Sequence, residues 1–167
     1  MNKNLTLQKE IELDSVDWEL LSVVQADARL SFREIARRVG MSTPAVAERI
    51  RKLEAAGVIE GYGAHVTRHA LGESIGAFLR LTVSDLDFRR VTALCGSLDA
   101  VVECHHVTGD DNFFIRVSVR SVGELEDVIS RFRKIGKVRS SLVLSSPVYE
   151  KPVRPPSQGT RLQHGPN

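Results

Sequence analysis

The sequence predicts an α+β protein in which an N-terminal helix-turn-helix domain, winged-helix-like in outline, is joined to a C-terminal ferredoxin-like βαββαβ domain. Two helix-starting signals, Ser31 and Ser42, lie eleven residues apart with Gly40 between them, which is typical of two short helices joined by a tight turn. Further along, residues 75–83 alternate between apolar and other side chains. This alternation predicts a strand with one buried face, so the two halves of the chain follow different periodicities.

The first two predicted helices each begin at a side chain that can accept backbone N–H groups. Asp14 starts the first helix, which we expect to end near Ala28. Ser31 and Glu34 form the capping box of the second helix, which ends at Gly40 because glycine accepts a left-handed backbone conformation. Both helices are therefore short, and they follow one another closely.

A third helix is predicted to begin after its N-cap, Ser42, and to end at Gly57. Its apolar residues recur at helical spacing and form one stripe: Val46, Ile50 and Leu53. The second and third helices, with the turn between them, have the outline of a helix-turn-helix, whose second helix enters the DNA major groove. The alternative is a helical bundle whose charged faces are only solvated.

Positive charge is concentrated in the helix-turn-helix segment. Residues 29–52 hold seven Arg or Lys and two Glu, a net charge of +5, whereas residues 1–28 hold two Lys and six acidic residues, a net charge of −4. Such a basic segment is the electrostatic footprint expected for double-stranded DNA. The predicted DNA contacts are small, polar and charged side chains on and near the third helix: Arg37, Arg38, Ser42, Thr43, Pro44, Ala47, Glu48, Arg49, Arg51 and Lys52.

The C-terminal half is predicted to order its elements as strand, helix, strand, strand, helix, strand. The strands are expected near residues 75–83, 101–107, 113–120 and 138–144, and the helices near residues 85–98 and 125–135. This order is that of a four-stranded antiparallel sheet with both helices on one face. Hydrophobic residues on the second face, among them Phe78, Phe114, Val102 and Val143, suit a second copy of the chain better than water, so we expect a homodimer.

Composition excludes several classes of protein. No apolar run reaches the roughly 18 residues that a membrane helix needs, and the N-terminus lacks the apolar core of a secretion signal, so we expect a cytoplasmic protein with no membrane partner. The two cysteines, Cys95 and Cys104, fall in a predicted helix and a predicted strand, and we expect both to be reduced. Residues 74–150 hold ten basic and ten acidic side chains, a balance that disfavours nucleic-acid binding by this half.

The expected domain boundaries lie in segments rich in glycine or proline. The chain is divided into a tail at residues 1–13, a DNA-binding domain at 14–60, a hinge at 61–73, a ferredoxin-like domain at 74–150 and a disordered tail at 151–167. A short strand is also expected within the hinge, around residues 64–66.

The chain resembles the Lrp/AsnC family, the feast/famine transcription regulators of bacteria and archaea. The matching stretches are LDSVDWELLSVVQADARLSFREIARRVGMSTPAVAERIRKLEAAGVIEGY and VVECHHVTGDDNFFIRVSV, and the resemblance extends over nearly all of residues 13–150. It implies a non-enzymatic DNA-binding regulator that dimerises through its sheet domain and assembles further into tetramers of dimers. It also implies an amino acid or related small effector bound between dimers, and we expect no cofactor and no metal site.

By the same resemblance, the effector-binding residues are the turn Gly109, Asp110, Asp111 and Asn112, with Ser141 on a neighbouring strand. Gly109 permits a tight turn, exposed N–H groups can hold a carboxylate, and acidic side chains can hold an α-ammonium group. A plain hairpin turn favours the same residues, and the two interpretations are compatible. The sequence departs from the commoner family loop, because Asp111 replaces a bulky residue and Asn112 replaces a second acid, whose charge an amide cannot supply.

A tetrapyrrole decarboxylase of the sirohaem type is one alternative, because relatives with the same two-domain layout resemble such enzymes. His105, His106 and Arg116 would then contact the carboxylates of the substrate. Adjacent residues on a strand point to opposite faces, so at most one of these histidines can face a given pocket. This alternative also leaves the basic third helix without a role.

Two further alternatives involve the same half of the chain. A thiol-sensing or metal-sensing regulator would use Cys95, Cys104, His105 and His106, but no spaced CxxC or HxxxH pair accompanies them. Buried cysteines and ordinary strand histidines are the simpler interpretation. A sheet-only interaction module without a DNA role would show no salt-dependent binding to any DNA.

Overall fold

The computed structural model describes residues 12–156, and the chain divides into two compact units. The first unit, called the head, extends to Ala64 and includes residues 150–156. The second unit, called the sheet unit, is His65–Tyr149. Residues 1–11 of the predicted N-terminal tail and residues 157–167 of the predicted C-terminal tail lie outside the described residues.

The head is built from the three predicted helices. They are α1 (Ser15–Ala26), α2 (Phe32–Val39) and α3 (Thr43–Ala55). Asp14, Ser31 and Ser42 cap them as the sequence predicts, and the first helix ends two residues before the expected Ala28. The buried residues that form the head core are Leu20, Val24, Ile35, Ala36, Val46 and Ile50.

The segment before the sheet unit and the segment after it are both hydrogen-bonded to helices of the head. The Tyr62 hydroxyl donates a hydrogen bond to the Glu54 carboxylate at the end of α3, at 2.7 Å. The Gln25 side-chain amide donates to the Val153 carbonyl at 3.0 Å and accepts from the Val153 N–H at 2.8 Å. The described part of the expected disordered tail is therefore hydrogen-bonded to α1.

The sheet unit has the predicted order of strands and helices. Its elements are β1 (Ile75–Thr82), α4 (Phe88–Ser97), β2 (Val101–His106), β3 (Phe113–Val119), α5 (Val122–Arg133) and β4 (Lys137–Leu142). All strand pairs are antiparallel, in the order β2-β3-β1-β4. This is the ferredoxin-like arrangement, and the predicted fold class is confirmed.

Alternation along the strands separates a buried sheet face from an open one. On β1, Ala77, Leu79 and Leu81 are fully buried in one apolar core with residues of α4 and α5. Phe78 and Phe114 lie on the other face and are 43% and 38% exposed. We call that face, with Arg80, Arg116, Arg139 and Ser141 also on it, the open sheet face.

The hinge differs from its prediction. Residues 61–67 contain no strand, and the expected short strand around residues 64–66 is wrong. A 3₁₀ turn follows at Arg68–Leu71, closed by Gly72 with a φ of 89° and by an ion pair of 2.7 Å between Arg68 and Glu73. Residues 64–66 are exposed and pair with no strand of the four-stranded sheet. None of the helices in the described residues is long and apolar enough to span a membrane.

Gly136 is required where α5 turns into β4, because a Cβ there would overlap the Thr82 carbonyl oxygen and the Val83 side chain. We expect Gly136→Ala to destabilise the sheet unit by about 1–3 kcal/mol, the usual range for inserting a methyl group into packed space. Amide hydrogen exchange of β1 and β4 measures this change. Gly96→Ala is the matched control, because open space surrounds the same atom in α4 and alanine favours helix by about 0.5–1 kcal/mol. Equal protection in the two variants would contradict this account.

Candidate DNA-binding surface and effector turn

Helix α3 presents a polar outer face opposite its buried stripe. Val46, Ile50 and Leu53 are buried, so the opposite side of the helix points to solvent. The predicted contact residues exposed at its N-terminal end and along that side are Ser42, Thr43, Pro44, Glu48, Arg51 and Lys52, and Ala47 is half-buried. Small residues therefore lie at the first turn of the helix, and charged residues follow one and two turns later.

The turn before α3 has the geometry of a helix-turn-helix. Gly40 adopts a φ of 67°, and the N–H of Met41 donates to the Ala36 carbonyl at 2.9 Å. The Ser42 hydroxyl accepts a hydrogen bond from the backbone N–H of Ala45, in the first turn of α3, at 3.4 Å. Arg37 and Arg38 are exposed in the last turn of α2, next to this turn. The structure thus brings the basic end of α2 and the start of α3 together.

Arg49 is directed toward α1 and not toward the outer face. Its guanidinium Nη1 donates to the carboxylates of Asp14 and Asp17, both at 2.7 Å. A hydrogen bond from the Asp17 backbone, followed by the one from Arg49, holds the pKa of Asp14 below its ordinary value of 3.8. The sequence groups Arg49 with the DNA contacts, whereas the structure uses it to hold the N-terminus of α1 against α3.

Arg51, Lys52 and Glu48 form a charged group on the outer face. Arg51 pairs with Glu48 at 2.7 Å and Lys52 approaches the same carboxylate at 4.0 Å, and all three side chains are more than half exposed. Ion pairs at such exposure contribute little to stability, because water screens them. Both cations can therefore exchange Glu48 for a phosphate at small cost.

The predicted effector turn joins β2 to β3. Gly109 has a φ of 111°, a conformation that favours glycine, and the Val107 N–H donates to the Asn112 carbonyl at 2.9 Å. The Asn112 side chain binds the backbone of Val83 twice: its amide nitrogen donates to the carbonyl at 2.8 Å and its oxygen accepts from the N–H at 3.0 Å. A carboxylate could not donate the first of these bonds, so the amide at this position has a structural role.

Asp111 and Asp110 have different environments within this turn. Asp111 is largely buried, accepts hydrogen bonds from the Thr82 hydroxyl and from Arg139, both at 3.0 Å, and lies 3.9 Å from Arg80. Asp110 is exposed, and no hydrogen bond or ion pair joins its side chain to another described residue. Asp110 is therefore the acid of this turn that is available to a ligand.

Arg80 and Arg139 are residues that sequence reasoning missed. Ser141 lies on β4 opposite Phe78, and Arg139 lies two residues before it on the same open sheet face. The alternation of β1 was sufficient to place Arg80 on this face, but only the pairing of β1 with β4 brings Arg139 to the turn. The structure thus connects the turn to β4 through Arg139. No hydrogen bond joins Ser141 to the four described residues of the turn.

His105, His106 and Arg116, the residues of the tetrapyrrole hypothesis, do not converge on one site. His105 lies opposite Phe114 on the open sheet face, whereas the ring of His106 packs on Phe88 and Phe113 on the other side, at centroid distances of 5.1 and 5.0 Å. Arg116 pairs with Glu103 at 3.0 Å. Within residues 12–156, no group of three or more His, Cys, Asp or Glu side chains is arranged to hold a metal ion.

Comparisons with known proteins match both units. The AsnC-type helix-turn-helix domain matches residues 13–54, and the Lrp/AsnC ligand binding domain matches residues 76–153. The transcriptional regulator LrpA of Mycobacterium tuberculosis is 34% identical over 137 residues, which cover 80% of this chain and 91% of that protein. The leucine-responsive regulatory protein of Rhizobium meliloti is 34% identical over 122 residues, covering 71% of this chain and 78% of the relative.

A solved structure supports the same assignment. The structure of AsnC from Escherichia coli superposes with a TM-score of 0.77 at 28% identity, covering 84% of this chain and 98% of AsnC. The sequence, the order of domains and the fold agree with these proteins over most of their length. The chain therefore belongs to the Lrp/AsnC family of DNA-binding transcriptional regulators.

Proposed function

We propose that the chain binds a specific DNA operator through the outer face of α3, as a homodimer whose binding or further assembly responds to an amino acid or a related small molecule. The observation that carries the proposal is the exposed N-terminal end of α3, where small residues precede the cations Arg51 and Lys52. Because chromosomal DNA would be its partner, we place the protein in the cytoplasm, and we assign it no catalytic role.

The DNA contacts divide into two kinds. Thr43, Pro44 and Ala47 are small enough to let α3 approach base edges closely, whereas Arg51 and Lys52 can reach phosphate or guanine. Glu48 can accept a hydrogen bond from a cytosine amino group once its two cations turn to the DNA. Arg37 and Arg38, at the end of α2, add positive charge beside the same surface. Arg49 supports this surface indirectly by holding α3 to α1.

We expect Arg51→Ala and Arg49→Ala to weaken operator binding for different reasons. Removal of a phosphate contact at Arg51 lowers the slope of log affinity against log salt by about 1, without a change in head stability. Removal of Arg49 destabilises the head and leaves that slope unchanged. Fluorescence polarisation over a salt series measures the slope, and the fluorescence of Trp18, the only tryptophan, follows unfolding of the head. Arg133→Ala, an exposed change on α5, is the control, and unchanged affinity in both test variants would contradict the placement of α3.

The ion pair of Asp14 and Arg49 also makes head stability depend on pH. Because the pKa of folded Asp14 lies below its ordinary value of 3.8, the stabilisation is present above pH 3.8 and is lost as the pH falls through the lower folded value. We therefore expect the unfolding midpoints of wild type and Arg49→Ala to differ most above pH 3.8 and to converge in stronger acid. Urea unfolding followed by Trp18 fluorescence at several pH values measures this. A difference that did not change with pH would show that Arg49 acts through packing alone.

The open sheet face supports the proposed homodimer. Phe78 and Phe114 are its large apolar side chains, and both remain more than one-third exposed while α4 and α5 cover only the other face. A second copy of the chain could cover the same residues by two-fold symmetry, so that each aromatic residue is buried in both protomers. Such a contact would stabilise the dimer through apolar burial.

We expect Phe78→Arg to convert the dimer into monomers, because two buried guanidinium groups would face one another across the interface. Sedimentation velocity measures the mass of the assembly. Leu86→Arg is the control, because Leu86 is 94% exposed and lies outside the sheet. A dimer of undiminished stability in Phe78→Arg would place the dimer contact elsewhere.

The turn of residues 109–112 supports an amino-acid effector. The matched family domain is a ligand-binding domain, and one relative is named for its response to leucine. Exposed Asp110 can bind an α-ammonium group, and the backbone N–H groups beside Gly109 can bind a carboxylate. Asp111 and Asn112 keep the turn on the end of β1, and Ser141 remains a proposed neighbour of the ligand on the same sheet.

We expect Asp110→Ala to abolish any rise in melting temperature that an amino acid produces, because the ammonium group loses its counter-charge. Thermal unfolding with each of the twenty common amino acids identifies the effector in wild type before the variant is tested. Sedimentation velocity should show an unchanged dimer. Asp99→Ala, another exposed acid of the sheet unit, should retain the full shift. An undiminished shift in Asp110→Ala would remove this residue from the effector site.

A further inference from the structure

The two cysteines of the chain meet in the sheet unit, although neither is used in the proposed function. Cys95 lies on α4 and Cys104 on β2, nine residues later. Helix α4 packs on β2, and both cysteines pack against the same apolar core. Cys104 faces the helices because it lies opposite the buried Ile115 of β3. The two sulfur atoms are thus delivered to one place by two different elements.

The thiols are free and half-buried, and both lie against the core that α4 and β2 share. Neither cysteine is in a disulfide and neither is completely buried, so a small solute can reach them. Pairing with Cys95 lowers the pKa of the Cys104 thiol, while the same pairing, followed by burial, raises the pKa of Cys95. Cys104 is therefore the thiol of the pair that ionises first, while Cys95 remains protonated.

We propose that Cys95 and Cys104 are an oxidisable dithiol, which a hydroperoxide converts into an intrachain disulfide joining α4 to β2. The proposal rests on the convergence of two thiols from separate elements, whereas a single half-buried cysteine would have no partner. It is independent of the DNA-binding and effector proposals. The disulfide would also constrain β2, the strand that leads into the effector turn at Gly109.

The reaction proceeds in two balanced steps. The Cys104 thiolate attacks one oxygen of hydrogen peroxide, the O–O bond breaks, and the departing hydroxide takes a proton to become water, leaving a sulfenic acid. The Cys95 sulfur then attacks the Cys104 sulfur, its proton leaves with the hydroxyl group as a second water, and the S–S bond forms. Two thiols lose two electrons and two protons in total, and one peroxide molecule is reduced to two molecules of water.

The test treats the full-length wild-type protein with one equivalent of hydrogen peroxide, followed by an acid quench and alkylation with iodoacetamide under denaturing conditions. We expect the intact mass to fall by two hydrogen atoms, both alkylatable thiols to be lost together, and dithiothreitol to restore both. Peptide mapping should show Cys95 linked to Cys104 in one chain. Two alkylatable thiols after treatment, or a disulfide between two chains, would overturn the proposal.

Single variants identify which sulfur reacts first. Cys95→Ser should accumulate a sulfenic acid on Cys104, which dimedone traps. Its intact mass should show no decrease of two hydrogen atoms, because no intrachain disulfide can form. Cys104→Ser should react more slowly with peroxide than Cys95→Ser, because its remaining thiol lacks the charge-stabilising partner. Equal reactivity of the two variants would remove the assigned order of the steps. The wild-type measurement decides the proposal itself, so a variant that folds poorly leaves the test intact.

Discussion

Two helices can cover only one face of a four-stranded sheet, and the organisation of the sheet unit depends on this constraint. The fully buried residues of β1 and β3 face α4 and α5, which leaves Phe78, Phe114 and three arginines on the open sheet face. Large apolar side chains that stay exposed on one face lower the solubility of a protein. Such a face is therefore expected to be covered by a partner. The proposed dimer contact lies there, on the side that the helices cannot reach. So does the Asp111 cluster, which consists of Asp111 with Thr82, Arg80 and Arg139.

The head meets a different requirement, because α3, the helix that we propose reads DNA, must be exposed and still be held in place. The apolar stripe of α3 supplies one anchor through Val46, Ile50 and Leu53. Arg49 supplies a second anchor by bonding two carboxylates at the start of α1. One basic side chain thus supports the helix, while its neighbours Arg51 and Lys52 remain exposed on the face proposed to bind DNA. The division of roles follows from the position of each residue around the helix.

The effector turn and the cysteine pair show how structural and chemical roles are distributed within the sheet unit. Asn112 and Asp111 bind the end of β1 and the cations beside it, which leaves Asp110 as the exposed acid. Compared with the commoner family loop, the turn keeps two acids, but Asp111 binds Thr82 and Arg139, and Asn112 binds the backbone of Val83. Cys95 and Cys104 lie on the opposite side of the sheet from the Asp111 cluster, on the helix side of β2. A change in their oxidation state would act on the same turn through the strand that carries it.

The sequence by itself determined the helices of the head, the order of strands and helices, and the two faces of the sheet. These features depend on local rules: capping by Ser31 and Ser42, a left-handed residue at Gly40, and strict alternation along β1. The prediction of a hinge strand failed because residues 64–66 are exposed and pair with no strand of the sheet. Only the tertiary structure directed Arg49 to α1, brought Arg139 to Asp111, and brought Cys95 and Cys104 to the same core from α4 and β2. Each of these contacts joins residues of separate elements, so it depends on how those elements pack, which no local pattern in the chain encodes.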